Sequence, residues 1–182
     1  MSITTEAVQA LPIGTWTLDR VHSSISFEVA YLGGSFRGEF NDVDARLVSE
    51  GEQARLEGSA RVASIQVKDE NLEAHLQAPD FFDAERHPEL RFEANDIARA
   101  GDELTVRGEI TIKGVTQPVE LTGTIGSPTT KPDDTEVIGL SLETVLDRTD
   151  FGVSWNMPLP DGKPALANEV KLSADLFFIR EA

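Results

Sequence analysis

The sequence predicts an all-β protein, folded as a single antiparallel up-and-down barrel of about eight strands with a short helical segment near one end. Apolar and polar residues alternate through one short segment after another, which is the pattern of strands with one apolar face. Glycine falls inside four of these segments, at Gly38, Gly58, Gly108 and Gly123. A missing side chain inside a strand permits the bend that curls a sheet, so we expect these strands to close on themselves.

The first two strands are joined by a polar corner. In the second strand Ile25, Phe27 and Val29 face one way and the intervening residues face the other, as in a curved sheet with one buried face. Short polar side chains between the two strands can hold the turn by binding nearby backbone groups. A structural role at this corner is therefore predicted for Trp16, Asp19, His22 and Ser23.

The same two-residue period continues along the chain. A hairpin is predicted where residues 106–112 reverse through a glycine-containing loop into residues 119–125, because both arms carry one apolar face. Further strands are predicted over residues 90–94, 140–146 and 170–178.

One helical candidate interrupts the strands, over residues 69–85. Leu72 and Leu76 have helical spacing there, and Pro79 breaks the stretch into short turns. We expect this segment to cross or plug one end of the barrel.

Composition and length bound the class of protein. The chain has 182 residues, of which 40% are hydrophobic, so it suits one domain with a sizeable core. We expect a polar N-terminal leader over residues 1–13 and a barrel domain over residues 14–182. The formal net charge of -16 repels phosphate backbones and anionic lipid surfaces, which argues against nucleic-acid binding and electrostatic membrane docking.

Thiol chemistry and targeting signals are missing from the sequence. It contains no cysteine, which excludes disulfides, thiolate metal sites and cysteine nucleophiles. The first ten residues lack the basic region and the continuous apolar region of a signal peptide. No later run approaches the roughly 18 apolar residues of a membrane-spanning helix. We therefore expect a cytoplasmic protein with no integral membrane segment.

Metal binding and catalysis find little support in the motifs. His22, His75 and His87 occur in separate blocks, without the His-x-x-x-His or Glu-x-x-His spacing that builds a coordination shell. The sequence has no Gly-x-Ser-x-Gly elbow and no phosphate-binding Gly-rich loop. We expect no metal, no cofactor and no catalytic residue, while a pair of carboxylates acting as general acid and base inside the barrel stays open.

Four blocks of sequence follow one another between Trp16 and Ile179. They are the corner run from Trp16 to Phe40, the stretch from Ala74 to Pro88, the run from Gly108 to Thr116, and the run from Arg148 to Gly152. In this order and spacing they resemble the YceI family of bacterial polyisoprenoid-binding proteins. The resemblance implies a lipocalin-like barrel that encloses a long amphiphile.

One position departs from the family pattern. Where the family commonly has an Arg-Asp pair immediately before the Ala-His-Leu block, this chain has Leu72 and Glu73. A cation that could meet a diphosphate is therefore missing there, and a buried charge needs a partner. We expect neutral or weakly charged head groups to bind better. Many relatives in the family are periplasmic and carry a signal peptide, which this sequence does not show.

The candidate binding residues combine the resemblance with the alternation of the strands. The predicted cavity residues are Phe27, Val29, Phe36, Phe40, Phe92, Ile110, Ile112, Leu121, Phe151, Trp155 and Phe178. The candidate head-group residues are His75, Arg148 and Asp150. A guanidinium can fork onto phosphate or carboxylate, and the alternative for Arg148 is an ion pair that fixes the end of a strand.

The function expected from these features is non-catalytic binding of a long-chain isoprenoid, such as an isoprenoid quinone precursor or a polyprenyl phosphate, for sequestration or transport. A barrel of about eight strands has room for side chains or for one slim ligand. Two alternatives from other classes remain: a hydrolase or isomerase acting on a hydrophobic substrate in the same cavity, and a ligand-free stress-response or interaction module. The sequence also leaves a homodimer open.

Overall fold

The computed structural model describes residues 10–181, and strands dominate this range. In chain order the elements are β1 (Gly14–Leu18), β2 (Ser24–Tyr31), β3 (Gly34–Phe40), β4 (Val43–Ser49), β5 (Ala54–Arg61), β6 (Ile65–Gln66), α1 (Glu70–Gln77), β7 (Glu89–Ala100), β8 (Glu103–Ile112), β9 (Val115–Ile125), β10 (Thr129–Thr130), β11 (Glu136–Asp147) and β12 (Leu166–Arg180). Short 3-10 helices cover Val62–Ser64 and Arg148–Phe151. Residues 1–9 of the predicted leader, and Ala182, lie outside the described residues.

The strands form one closed antiparallel sheet. β12 pairs with β11 along one edge, and with β1 and then β2 along the other. Three walls of the barrel are each built from two strands that follow one another past a bend. These are β1 with β2, β3 with β4, and β5 with β6. Together with β7, β8, β9, β11 and β12 they give eight walls in up-and-down order. This arrangement confirms the predicted lipocalin-like barrel with one short helix.

One end of the barrel is filled by side chains. Trp16 is fully buried there, and its indole N–H donates to the carbonyl of Pro12 at 3.2 Å. Leu11, Leu47 and Phe178 belong to the same buried cluster. Because this cluster blocks one end of the barrel, the open interior lies toward α1, which packs on a second cluster.

The polar corner between β1 and β2 is held by short hydrogen bonds. Asp19 Oδ1 accepts from the backbone N–H of Val21 at 3.0 Å, and Asp19 Oδ2 lies 2.7 Å from His22 Nδ1. Ser23 Oγ accepts from the N–H of Phe177 at 2.9 Å, which ties the corner to β12. The bond to His22 is the largest cause that lowers the pKa of Asp19. The structure thus places these polar side chains in bonds that shape the turn.

Two glycines let neighbouring strands approach each other. A Cβ on Gly108 would collide with the carbonyl oxygen of Glu93, and a Cβ on Gly123 would collide with the carbonyl oxygen of Ser141. Any larger residue at either position would force the paired strands apart. The glycines inside the strands therefore permit the curvature of the barrel wall at these points.

Candidate functional site

An apolar chamber lies inside the barrel directly beneath α1, and we call it the plug chamber. Its empty volume is about 670 Å³, a figure that includes the space at its mouth. Its lining consists of Phe27, Val29, Phe36, Phe40, Leu76, Phe81, Phe82, Leu90, Ile112, Leu146, Arg148, Phe151, Val153, Leu166, Val170 and Leu172. Every one of these side chains except Arg148 is hydrophobic.

A second chamber adjoins it near the middle of the barrel, and we call it the central chamber. Its empty volume is about 800 Å³, again including open space. It shares Phe40, Leu90 and Leu172 with the plug chamber. Its remaining hydrophobic lining is Ile25, Ala45, Leu56, Ala60, Phe92, Ile110, Leu121, Leu142, Ala174 and Leu176. Because the three shared side chains border both chambers, the two apolar spaces lie next to each other inside the barrel.

A helical plug covers this space. α1 begins after Asp69, whose Oδ1 accepts from the N–H groups of Asn71 at 2.8 Å and Leu72 at 3.1 Å, as a capping carboxylate does. The helix ends before Pro79, which cannot continue it. Its one buried residue, Leu76, faces the plug chamber. No helix within residues 10–181 is long and apolar enough to cross a membrane.

The two residues that depart from the family pattern serve the plug itself. Glu73 Oε1 accepts from the backbone N–H of Val67 at 3.2 Å, so its carboxylate is bound to the segment before the helix. Leu72 packs partly buried against the cluster beneath α1. Neither residue offers a positive charge to a ligand.

Aromatic rings fasten the plug to the loop that precedes β12. The ring of His75 contacts Phe81 edge-on at a centroid distance of 4.9 Å and Trp155 at 4.8 Å. Its Nε2 lies 3.3 Å from Asp80 Oδ2. His75, a predicted head-group residue, is therefore engaged within the plug, and it is not among the residues that line either chamber.

Arg148 has a different environment from the other charged residues. Its Nε donates to the carbonyl of Ala167 at 2.9 Å, and its Nη1 donates to the carbonyls of Val153 and Trp155, both at 2.8 Å. The residue is only 6% exposed. Burial lowers the pKa of its guanidinium, and the nearby Asp147 carboxylate offsets part of that effect. Carbonyl oxygens, and not a carboxylate, thus anchor this side chain at the end of β11.

The third candidate for the head group, Asp150, faces outward. Its side chain is exposed, and its backbone carbonyl accepts from the side-chain amide of Gln117 at 3.3 Å. Asp150 is not among the lining residues of the two chambers. Of the three predicted head-group residues, the structure brings only Arg148 to the interior.

The predicted cavity residues separate by depth in the barrel. The plug chamber is lined by Phe27, Val29, Phe36, Phe40, Ile112 and Phe151, and the central chamber by Phe40, Phe92, Ile110 and Leu121. Trp155 packs on the plug, and Phe178 fills the blocked end. The sequence interpretation missed Leu76, Phe81 and Leu172. For Leu172 the signal was present, because it alternates with the inward residues of β12.

Two glycines shape the chambers. A Cβ on Gly38 would lie 2.5 Å from the ring of Phe27, so that ring can lie across the wall only where a side chain is missing. At Gly58 a Cβ would meet its nearest neighbours, the Asp44 carbonyl and the Ala45 Cβ, at 3.6 and 3.8 Å. Those are ordinary contacts. Gly58 therefore widens the central chamber without being required by crowding.

Comparison with known proteins assigns the fold to a family. Residues 16–178 match the YceI-like domain. The chain belongs to the YceI-like family. A UPF0312 protein of Staphylococcus aureus is 29% identical over 171 residues, covering 90% of this chain and 96% of that protein.

Solved structures share the YceI-like barrel. BcnA of Burkholderia cenocepacia superposes with a TM-score of 0.72 at 22% identity, covering 88% of this chain and 98% of that one. A polyisoprenoid binding domain from Saccharophagus degradans superposes with a TM-score of 0.68 at 9% identity, covering 93% and 100%. At these identities the similarity shows a common fold.

The sequence blocks that carried the YceI resemblance meet at one place. Each of the four blocks contributes a residue to the lining of the plug chamber: Phe27, Leu76, Ile112 and Arg148, in chain order. Segments far apart in the sequence are thus brought together by the barrel around one apolar space. The plug chamber is the candidate functional site of this YceI-like protein.

Proposed function

We propose that this protein binds one long-chain isoprenoid, or a similar amphiphilic lipid, inside the barrel, and that it sequesters or carries this lipid without chemical change. The observation that carries the proposal is the pair of adjoining chambers: the plug chamber is hydrophobic except for Arg148, and the central chamber is mostly hydrophobic. The polar residues in the lining of the central chamber are Asp44, Glu57, Ser59, Arg91 and Ser173. The polyisoprenoid binding domain among the structural neighbours supports the choice of ligand class.

Burial of the lipid tail supplies the driving force. Each buried methylene-equivalent carbon contributes about 0.8 kcal/mol, so a tail with about ten buried carbons contributes roughly 8 kcal/mol before the costs of association. The lining aromatic and aliphatic side chains match such a tail along its length. Tight binding therefore needs no polar contact along most of the ligand.

The lining gives less support to an enzyme. Within residues 10–181, Asp44 and Glu57 border the central chamber, but both carboxylates form ion pairs with arginines, Asp44 with Arg20 at 3.2 Å and Glu57 with Arg55. A carboxylate engaged in this way is poorly placed to exchange protons with a substrate inside the barrel. The plug chamber carries no carboxylate in its lining.

Native mass spectrometry of the protein purified from its own host tests the proposal. We expect one lipid per barrel, released on collision as a single isoprenoid species, and uptake of added geranylgeranyl lipids by the emptied protein. A barrel that purifies empty and takes up none of the added lipids would contradict binding. Recovery of a chemically altered lipid would indicate the enzyme instead. The same spectra distinguish a monomer from a homodimer.

A further inference from the structure

The guanidinium of Arg148 is incompletely paired. It has five N–H donors. The single Nε–H and the two Nη1–H groups account for the three bonds to the carbonyls of Ala167, Val153 and Trp155. Nη2 is buried, and among the described residues 10–181 it has no hydrogen-bond partner. Two N–H donors are therefore left over on the one charged residue that lines the plug chamber.

The geometry of the guanidinium fixes where these donors lie. The group is planar and rigid, so three bonds on Nε and Nη1 determine the position of Nη2. A buried donor without an acceptor is unfavourable, and more so when it carries charge. The other lining residues of the plug chamber are hydrophobic, so a polar group on a molecule bound in that chamber can supply the missing acceptor.

We propose that Nη2 of Arg148 binds the head group of the lipid through a single carbonyl or carboxylate group, so that the head lies beneath the plug and the tail lies in the central chamber. This inference rests on the proposed function. Two N–H donors satisfy one ketone, quinone, amide or carboxylate group. A diphosphate has more charged oxygen atoms than two N–H donors can bind, and the other lining residues of the plug chamber are hydrophobic. Binding of a diphosphate is therefore disfavoured, because some of its charge would be buried without a partner.

The orientation follows from the positions of Arg148 and Gly58. Arg148 lies in the plug chamber, whereas Gly58 lies in the central chamber and leaves space there. A head held at Arg148 directs the tail past Phe40 and Leu172, which border both chambers, toward Gly58. The head is then close to the plug, at the end of the barrel opposite the cluster that contains Trp16.

Four ligands with the same chain test the head-group contact: geranylgeranylacetone, geranylgeranoic acid, geranylgeranyl diphosphate and the parent hydrocarbon. In the wild type we expect the ketone and the acid to bind about tenfold more tightly than the hydrocarbon or the diphosphate. In Arg148→Met this preference should disappear. Arg107→Met is the matched control, because Arg107 pairs with Glu120 on the outer surface, and it should keep the wild-type order.

The outcomes separate the two proposals. If no ligand binds, the proposed function fails. If all four bind the wild type equally, or if Arg148→Met weakens all four by the same factor, lipid binding stands and the head-group contact is wrong. Tightest binding of the diphosphate would also overturn it.

A spectroscopic measurement covers the case in which Arg148→Met does not fold. The infrared carbonyl stretch of carbon-13-labelled geranylgeranylacetone bound to the wild type should move to lower wavenumber than in hexane, because a hydrogen bond weakens the C=O bond. An unshifted band would contradict the contact.

The tail direction has its own test. Gly58→Val should weaken binding of geranylgeranylacetone about tenfold while sparing the shorter geranylacetone, because the added methyl groups narrow only the tail end. Gly34→Val adds the same bulk at an exposed position of β3 that lines neither chamber, and should bind both ketones as the wild type does. If Gly58→Val weakened the short ketone as much as the long one, the orientation would be wrong.

Discussion

The ring of Phe27 occupies the space in which a side chain on Gly38 would lie. The two residues are direct cross-strand partners on β2 and β3, and a Cβ on Gly38 would lie 2.5 Å from two ring carbons of Phe27. Phe27 is also part of the plug chamber lining and contacts the rings of Phe36 and Phe40. The shape of the chamber thus depends on a residue without a side chain.

Gly38→Ala should therefore disturb both stability and binding. We expect a loss of roughly 1–3 kcal/mol in the free energy of unfolding, because the ring must leave its position in a packed wall. Isoprenoid affinity should fall as the displaced ring enters the chamber. Urea unfolding and ligand titration measure the two effects. Gly34→Ala is the control, since its nearest neighbour would be the Tyr31 carbonyl at 3.8 Å. Equal behaviour of the two variants would contradict this role of Gly38.

Overfilling the central chamber should abolish lipid uptake while the barrel survives. Ile110→Trp places a large ring where Ile110 lines that chamber, and overpacking costs about 1–3 kcal/mol when a nearby void absorbs part of the strain. Glu109→Trp carries the same ring on the outer face of β8, where Glu109 is exposed. Circular dichroism checks the fold, and native mass spectrometry counts bound lipid. Normal uptake by a folded Ile110→Trp variant would count against an interior site.

Asp19→Ala should destabilise the corner in a pH-dependent way. The variant loses acceptors for Val21 and His22. Because both bonds lie at the exposed surface, we expect the free energy of unfolding to fall by about 0.5–1.5 kcal/mol near neutral pH. The pKa of Asp19 is lowered in the folded protein, so its charged form contributes stability above the unfolded value of about 3.9. That contribution is lost as the pH falls through the lower folded value.

Urea unfolding at neutral pH and at about pH 3 checks this linkage, because the gap between wild type and Asp19→Ala should narrow in acid. The destabilisation should be the same with and without bound lipid. An unchanged unfolding midpoint together with a large loss of lipid affinity would show that the corner serves the ligand.

Loosening the plug should speed the exchange of lipid. Lys113, in the turn between β8 and β9, donates from Nζ to the carbonyls of Pro79 at 2.6 Å and Gly152 at 3.3 Å. It therefore ties the plug to the barrel wall. Lys113→Met should raise the rate of lipid release about fivefold, because charge-assisted bonds to the plug are lost. Stopped-flow displacement measures the rate, with Lys131→Met as the control, because Lys131 follows β10 and lines neither chamber. Identical release rates would exclude this tie.

The barrel and its family were predictable from the sequence because the relevant signals are local. Alternation along each strand identifies the inward residues, and Ile110, Ile112 and Leu121 line the interior as expected. Alternation does not give depth along the barrel axis. Phe178 alternates in step with Leu172 on β12, yet it lies in the blocked end against Trp16 instead of lining a chamber. Depth depends on the shear between strands, which no single strand encodes.

The surroundings of Arg148 were less accessible to prediction. The sequence left a choice between a head-group contact and an ion pair. The structure shows bonds to the carbonyls of Val153, Trp155 and Ala167, which belong to an irregular loop and to the start of β12. Irregular segments have no periodicity, so the sequence gives no indication of where their carbonyl groups point.

Closure of the sheet by β12 has a consequence for how the chain folds. β12 pairs with β1, and the paired residues are 160 to 164 positions apart along the chain, from Leu18 with Phe178 to Trp16 with Arg180. Until this strand is synthesised and docked, β2 and β11 lack their shared partner and expose unpaired edges. Contacts of such long sequence separation are slow to form. The nascent chain therefore passes through a stage prone to association with other chains, and capture of the C-terminal strand ends that stage.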